Sequence, residues 1–166
     1  MGQGQNEGMK RTLLFALALA VIPVGVDAQV TPSASCAALS VESPLDDVLL
    51  CAEQGNVYAQ GTLGFKYSIG YGVPEDDVEA VRWYRLAAEQ GHSSAQLNLG
   101  SAYNLGRGVP EDHVLAYMWA NLSAAHGNEY AEGNKNIVEQ QMTSEQIAEA
   151  QRLSREWLEA HPPGAD

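Results

Sequence analysis

Basic residues are scarce in this chain. Nine Lys and Arg stand against 21 Asp and Glu, a formal net charge of −12. Charge of that sign repels nucleic acid phosphates and anionic lipid headgroups, so neither partner class is expected. Cysteine is scarcer still, with only Cys36 and Cys51, and the pair lacks the C-x-x-C spacing of a zinc site or a thioredoxin-like redox centre. The four histidines, His92, His113, His126 and His161, form no H-E-x-x-H arrangement and pair with no cysteine at ligand spacing. A G-x-S-x-G elbow, a Walker A sequence and a dinucleotide fingerprint are all missing. No catalytic residue, metal or cofactor is therefore expected. The longest apolar run, Leu13 to Ile22, falls short of the about twenty residues that a membrane-spanning helix needs.

That run has its own meaning. It follows Lys10 and Arg11 and precedes Pro23, Gly25 and the small-residue sequence Val26-Asp27-Ala28. A basic n-region, an apolar h-region and an A-x-A-like site predict a secretory signal peptide over residues 1–28, with Met9 as an alternative start. A lipoprotein is the competing reading, but Ser33-Ala34-Ser35-Cys36 lacks the apolar residues such a site needs. The expected product is exported, periplasmic or secreted, with no membrane span after cleavage. In an oxidising compartment the two cysteines suggest a Cys36–Cys51 disulfide; two unpaired thiols are the alternative. Residues 29–43 hold Thr, Pro, Ser and Ala without periodicity and read as a linker or tail.

The rest of the chain is organised by a repeat. Gly70 to Gly91, GYGVPEDDVEAVRWYRLAAEQG, returns thirty-six residues later at Gly106 to Gly127 as GRGVPEDHVLAYMWANLSAAHG. Such a period marks a repeat array. Ala59, Leu63, Gly64 and Tyr67 share one face of a first helix, and Ala95, Leu99, Gly100 and Tyr103 repeat them. Gly70 or Gly106 stops that helix, and Pro74 or Pro110 prevents its continuing. Asp76 or Asp77, and Asp112, can cap the next helix. Its core stripe is Ala80, Trp83, Tyr84, Ala87 and Ala88, then Ala116, Trp119, Ala120, Ser123 and Ala124.

A third unit departs from the pattern. Lys135 and Asn136 stand where Leu and Gly stood, and the Gly-Val-Pro-Glu-Asp turn is replaced by Gln140-Gln141-Met142-Thr143. Thr143 to Gln146 fits a capping box, and Ile147, Ala150, Leu153, Trp157 and Ala160 then form one apolar face. The expected organisation is a capping helix over 44–54, repeats over 55–90 and 91–126, and a degenerate repeat with C-terminal capping helices over 127–161. That makes seven helices.

The motifs A-x-x-x-LG-x-x-Y, G-x-GVP-x-D, A-x-x-WY and AAEQG at this period resemble Sel1-like repeats, relatives of the tetratricopeptide family. The resemblance covers roughly Ala52 to Tyr130. It implies an all-α, right-handed solenoid of antiparallel helix pairs, with scaffold or adaptor work through contact with another protein or peptide. Some secreted, cysteine-rich proteins of this kind are described as β-lactamase-like, which makes a hydrolase the alternative. Here neither full repeat has a cysteine after Cys51, and no S-x-x-K arrangement is present. A structural envelope component without a discrete ligand is the third reading.

Individual residues mostly favour structure over chemistry. Glu75/Asp76/Asp77 and Glu111/Asp112 could be paired carboxylates, but their recurrence at one turn favours helix capping. Trp83, Trp119, Tyr67 and Tyr103 recur at core-facing positions, which favours packing over an aromatic ligand box. Arg82, Arg85 and Arg107 read as a solvated surface with weak ion pairs. The candidate partner-facing residues are Lys66, Arg82, Arg85, Asn98, Asn104 and Tyr117.

Overall fold

The computed structural model describes residues 36 and 39–162. The expected signal peptide and most of the 29–43 linker lie outside the described residues. Among these there are seven helices and no strand: α1 (Leu45–Glu53), α2 (Val57–Ile69), α3 (Asp77–Glu89), α4 (Ser93–Leu105), α5 (His113–Ala125), α6 (Ala131–Glu139) and α7 (Ser144–Ala160). Helices α2 and α3 pack as one hairpin and α4 and α5 as the next, with α3 against α4 and α1 against α2. The architecture is an all-α solenoid of helix pairs.

Local chemistry sets the ends of each helix. Gly70 and Gly106 close α2 and α4 in the left-handed region. Of the two acids offered for α3, Asp76 is the cap, its side chain accepting from the backbone N–H of Val78 and Glu79. Asp112 does the same for Leu115 at α5. Pro44 stands at the cap position of α1, and Asp46 and Asp47 fall in its first turn.

The core follows the repeat register. Ala80, Val81, Tyr84, Ala87 and Ala88 of α3 join Ala95, Leu99 and Ala102 of α4, and Met118, Trp119 and Leu122 of α5. Trp83 instead packs with Val48, Cys51, Ala59 and Leu63 at the α1 end. The small residue inside each first helix makes room for something different in each copy. A Cβ at Gly64 would sit 2.6 Å from the Tyr84 ring, whereas one at Gly100 would meet the backbone of Ala116 and Ala120. Position 120 holds Ala where the first copy has Tyr84, so the helices themselves close the gap.

Buried polar residues join neighbouring units. Gln60 donates its side-chain amide to the Ala52 carbonyl, and Gln90 donates to the Gln60 Oε1. One repeat on, Gln96 donates to the Ala88 carbonyl and its Oε1 receives His126 Nδ1 at 2.8 Å. Because that oxygen can only accept, His126 holds its proton on Nδ1. Gln60 and Gln96 are 4 % and 0 % exposed, so each amide is satisfied entirely within the protein.

At the C-terminal end the third unit changes course. The Thr143 hydroxyl accepts from the Gln146 N–H while the Gln146 side chain accepts from the Thr143 N–H, completing the capping box. Helix α7 packs chiefly on α5 rather than pairing with α6. The four-residue link 140–143 replaces the seven-residue turn of the first two copies. Trp157 of α7 meets Trp119 edge-on at 6.2 Å and Ala150 joins Ala116, Tyr117 and Val138.

The two Gly-Val-Pro-Glu-Asp turns also stack on one another. A Cβ at Gly108 would lie 2.2 Å from the Asp77 carbonyl oxygen, while one at Gly72 would meet nothing within 4 Å. Both residues have positive φ, 69° and 74°. Gly72→Ala therefore isolates the backbone penalty, about 1–2 kcal/mol. Gly108→Ala adds a backbone clash and should cost clearly more in urea unfolding; equal losses would show that the turns do not need this contact.

Candidate functional site

Two of the six residues proposed from sequence to face a partner are in the interior. Lys66 is 2 % exposed and Tyr117 is 4 % exposed. Lys66 occupies the register of Ala102, which faces a neighbouring helix, so its stem is buried and its ammonium lies 4.9 Å from the centre of the Tyr71 ring. Tyr117 occupies the register of Val81, a core position that the stripe Ala80, Trp83, Tyr84, Ala87 and Ala88 leaves out. Its ring packs with Ala116, Val138 and Ala150.

The other four remain accessible but do not form one patch. Arg82 and Arg85 are exposed on α3. The Arg82 guanidinium lies 4.1 Å from the centre of the Trp83 ring and pairs with Glu79 at 2.9 Å. Arg85 donates to the Tyr103 hydroxyl at 3.0 Å. Asn98 and Asn104 are half-buried on α4; the Asn104 Oδ1 accepts from Gln141 at 3.3 Å.

Asn98 belongs to a cleft between the first and second repeats, about 110 Å³ in volume. Its floor is Ala80, Val81, Tyr84 and Ala102, and its rim includes Ser68, Asn98, Ser101 and Leu105. Arg107 closes one end, with its guanidinium 3.0 Å from Asp77 and 3.3 Å from Glu75. Arg107 is exposed and ion-paired, as its sequence suggested, and the stacking of the turns makes those pairs run between repeats. The Tyr84 hydroxyl lies 3.0 Å from Ser68 Oγ, and burial pushes its pKa above the usual phenol value, so it stays protonated. The cleft thus offers neutral hydrogen-bonding groups around an apolar floor, with the Arg107–Asp77 ion pair at one end.

The surrounding face is uncharged. Helices α2 and α4, of 13 residues each, contain Lys66 as their single charged residue, and it is buried. Tyr58, Phe65, Ile69 and Leu105 stand exposed on these two helices. In a chain with 21 acids, that absence was the signal in the sequence that marks this face. Among the described residues no group of three His, Cys, Asp or Glu could hold a metal ion. Nor, among them, is any helix long and apolar enough to cross a membrane.

One histidine has a structural duty that depends on pH. His92 caps α4, its Nδ1 accepting from the Ala95 N–H at 3.2 Å. Its ring fits against Gly61, where a Cβ would be 3.0 Å away, and meets Tyr58 edge-on at 5.4 Å. Burial lowers its pKa below the ordinary imidazole value. The neutral, capping form is favoured on folding, so its stabilisation is full above pH about 6.5 and is lost as pH falls through the folded-state value. His92→Asn retains a cap, as Asn56 does one repeat earlier. The variant should lose less stability than wild type between pH 7.5 and pH 5 in urea titrations. Equal losses would remove His92 from the pH response.

Comparison with known proteins places these features in a family. The description "Sel1 repeat" matches residues 57–92 and 93–128. No curated protein matches the chain. Among solved structures, a protective antigen present in uropathogenic Escherichia coli strains and displaying an SLR fold is 36% identical, with a TM-score of 0.68. The match covers 69% of this chain and 25% of the antigen. A Sel1 repeat protein from Oxalobacter formigenes is also 36% identical, with a TM-score of 0.54, covering 56% of this chain and 38% of that one. The chain therefore spans well under half of either solved relative. Residues 57–128 of this chain are thus two Sel1 repeats, and its helix pairs match solved SLR-fold proteins.

Proposed function

We propose that this chain is an exported binding module that holds another protein or peptide and catalyses no reaction itself. Sel1 repeats commonly serve as protein-interaction scaffolds, and the observation that carries the reading here is the uncharged, partly apolar face of α2 and α4. Apolar side chains left in water on a surface without charge favour contact with a partner. The interior has no equivalent attraction for a substrate: its aromatic residues are packed in the core, and the acids of both turns cap helices or pair with Arg107 or His113. The export reading rests on the leader-like sequence, and the Cys36–Cys51 disulfide, with Cα atoms 5.8 Å apart, supports it. The antigen among the solved relatives supports it as well.

Co-purification of the native protein from envelope extract, with mass identification of what accompanies it, tests this reading. A reproducible protein partner is expected. Substrate turnover by the purified protein without any partner would instead favour the hydrolase. Mature protein should begin at Gln29 and resist maleimide labelling until reduced; a retained leader or freely reactive thiols would overturn export through that route.

The exposed arginines give a second test. Arg82→Glu/Arg85→Glu should weaken partner binding with only a small change in melting temperature, because exposed ion pairs contribute about 0.2–1 kcal/mol. Binding indistinguishable from wild type would remove α3 from the interface.

A further inference from the structure

We infer that the cleft between the two repeats is a side-chain socket for an extended peptide that presents one branched apolar residue, Leu, Ile or Val, between neutral or basic neighbours. This rests on the partner-binding reading and names the site and chemistry for it. The socket is peculiar to one junction in the array. At its floor stand Val81 and Ala102, both small. One register later Tyr117 and Val138 take these places and are buried together, and Gln141 reaches across to Asn104. One register earlier Lys66 takes the Ala102 position and its stem is buried. The same solenoid geometry is thus filled by larger side chains on both sides and left open in the middle.

Size and polarity select the occupant. A volume of about 110 Å³ exceeds the roughly 30 Å³ share of one water and is below the 150 Å³ engineered cavity that admits benzene. That range suits an aliphatic side chain better than an indole. Asn98 and Ser101 at the rim offer amide and hydroxyl groups to the backbone of an extended segment, and Leu105, 62 % exposed, supplies an apolar lip. Charge selects the neighbours. Helix α4 has no charged residue, while the adjoining turns expose Glu75, Asp76 and Glu111. Acidic residues in the ligand would meet that rim with like charge, and basic ones with opposite charge. Asp77 does not itself call for a cation in the socket, because Arg107 already pairs with it.

Selection from short capped peptides, randomised at every position, over the immobilised full chain tests this assignment. The enriched sequences should share a single Leu, Ile or Val, contain Lys or Arg nearby, and be depleted in Asp and Glu. A selected peptide should shift the backbone amide resonances of Asn98, Ser101 and Leu105 in the ¹⁵N-labelled protein. Leu105→Asp changes an exposed position and should retain the wild-type circular dichroism melt while binding roughly tenfold more weakly. Val81→Tyr copies the residue of the next register and should close the socket with similar loss; should it fail to fold, Leu105→Asp decides alone. An acidic or aromatic consensus, no enrichment, or wild-type binding by Leu105→Asp would overturn the socket. If a co-purified partner binds Leu105→Asp normally, the module reading stands and the socket falls. If peptides bind the socket but extracts yield no partner, the reverse holds.

Discussion

The buried side-chain amide of Gln96 ties together three consecutive segments. Its nitrogen donates to the last turn of α3, its oxygen accepts a hydrogen bond from His126 at the end of α5, and its own backbone lies in α4. A buried polar group left without partners costs about 1–3 kcal/mol, so the three segments cannot slide independently. Gln60 makes the same connection between α1, α2 and the end of α3. Apolar burial alone would tolerate modest shifts along such small residues as Ala87, Ala88 and Ala95. Directed hydrogen bonds at a fixed period do not, and they set the register on which the turn stacking and the cleft depend.

That fixed register explains why equivalent residues serve different ends. Gly64 receives a tyrosine ring and Gly100 receives a helix backbone, because Tyr84 in one copy becomes Ala120 in the next. Gly72 faces open space while Gly108 lies on the preceding turn, since only the second turn has a full turn before it to stack on. The substitution of His113 for Asp77 follows the same logic. Asp77 receives Arg107 from the second turn, whereas His113 pairs with Glu111 inside its own turn. Small differences at one offset thus leave a socket at the first junction and a filled core at the second.

The period of thirty-six residues made the helix pairs, their glycine stops and their aspartate caps legible from sequence, because each depends on chemistry within a few residues. The capping box at Thr143 was legible for the same reason. The surface was less so. Lys66 and Tyr117 suggest exposure by residue type, yet both lie at registers that neighbouring helices cover. Arg107 is solvated as expected, but that its ion pairs cross from the second turn to the first was not legible.

Local sequence by itself determined that this chain forms an all-α solenoid around two Sel1 repeats: where each helix begins, where it ends and which stripe it buries. Those are short-range decisions of capping, backbone conformation and helical spacing, repeated until they become unmistakable. Only the tertiary structure decided which registers stay open. The cleft at Val81 and Ala102 exists because residues from α2, α3 and α4 leave a volume that no one helix defines, and the seating of α7 on α5 likewise depends on side chains far apart in sequence, such as Trp119 and Trp157. A void is a property of the side chains around it, taken together in space.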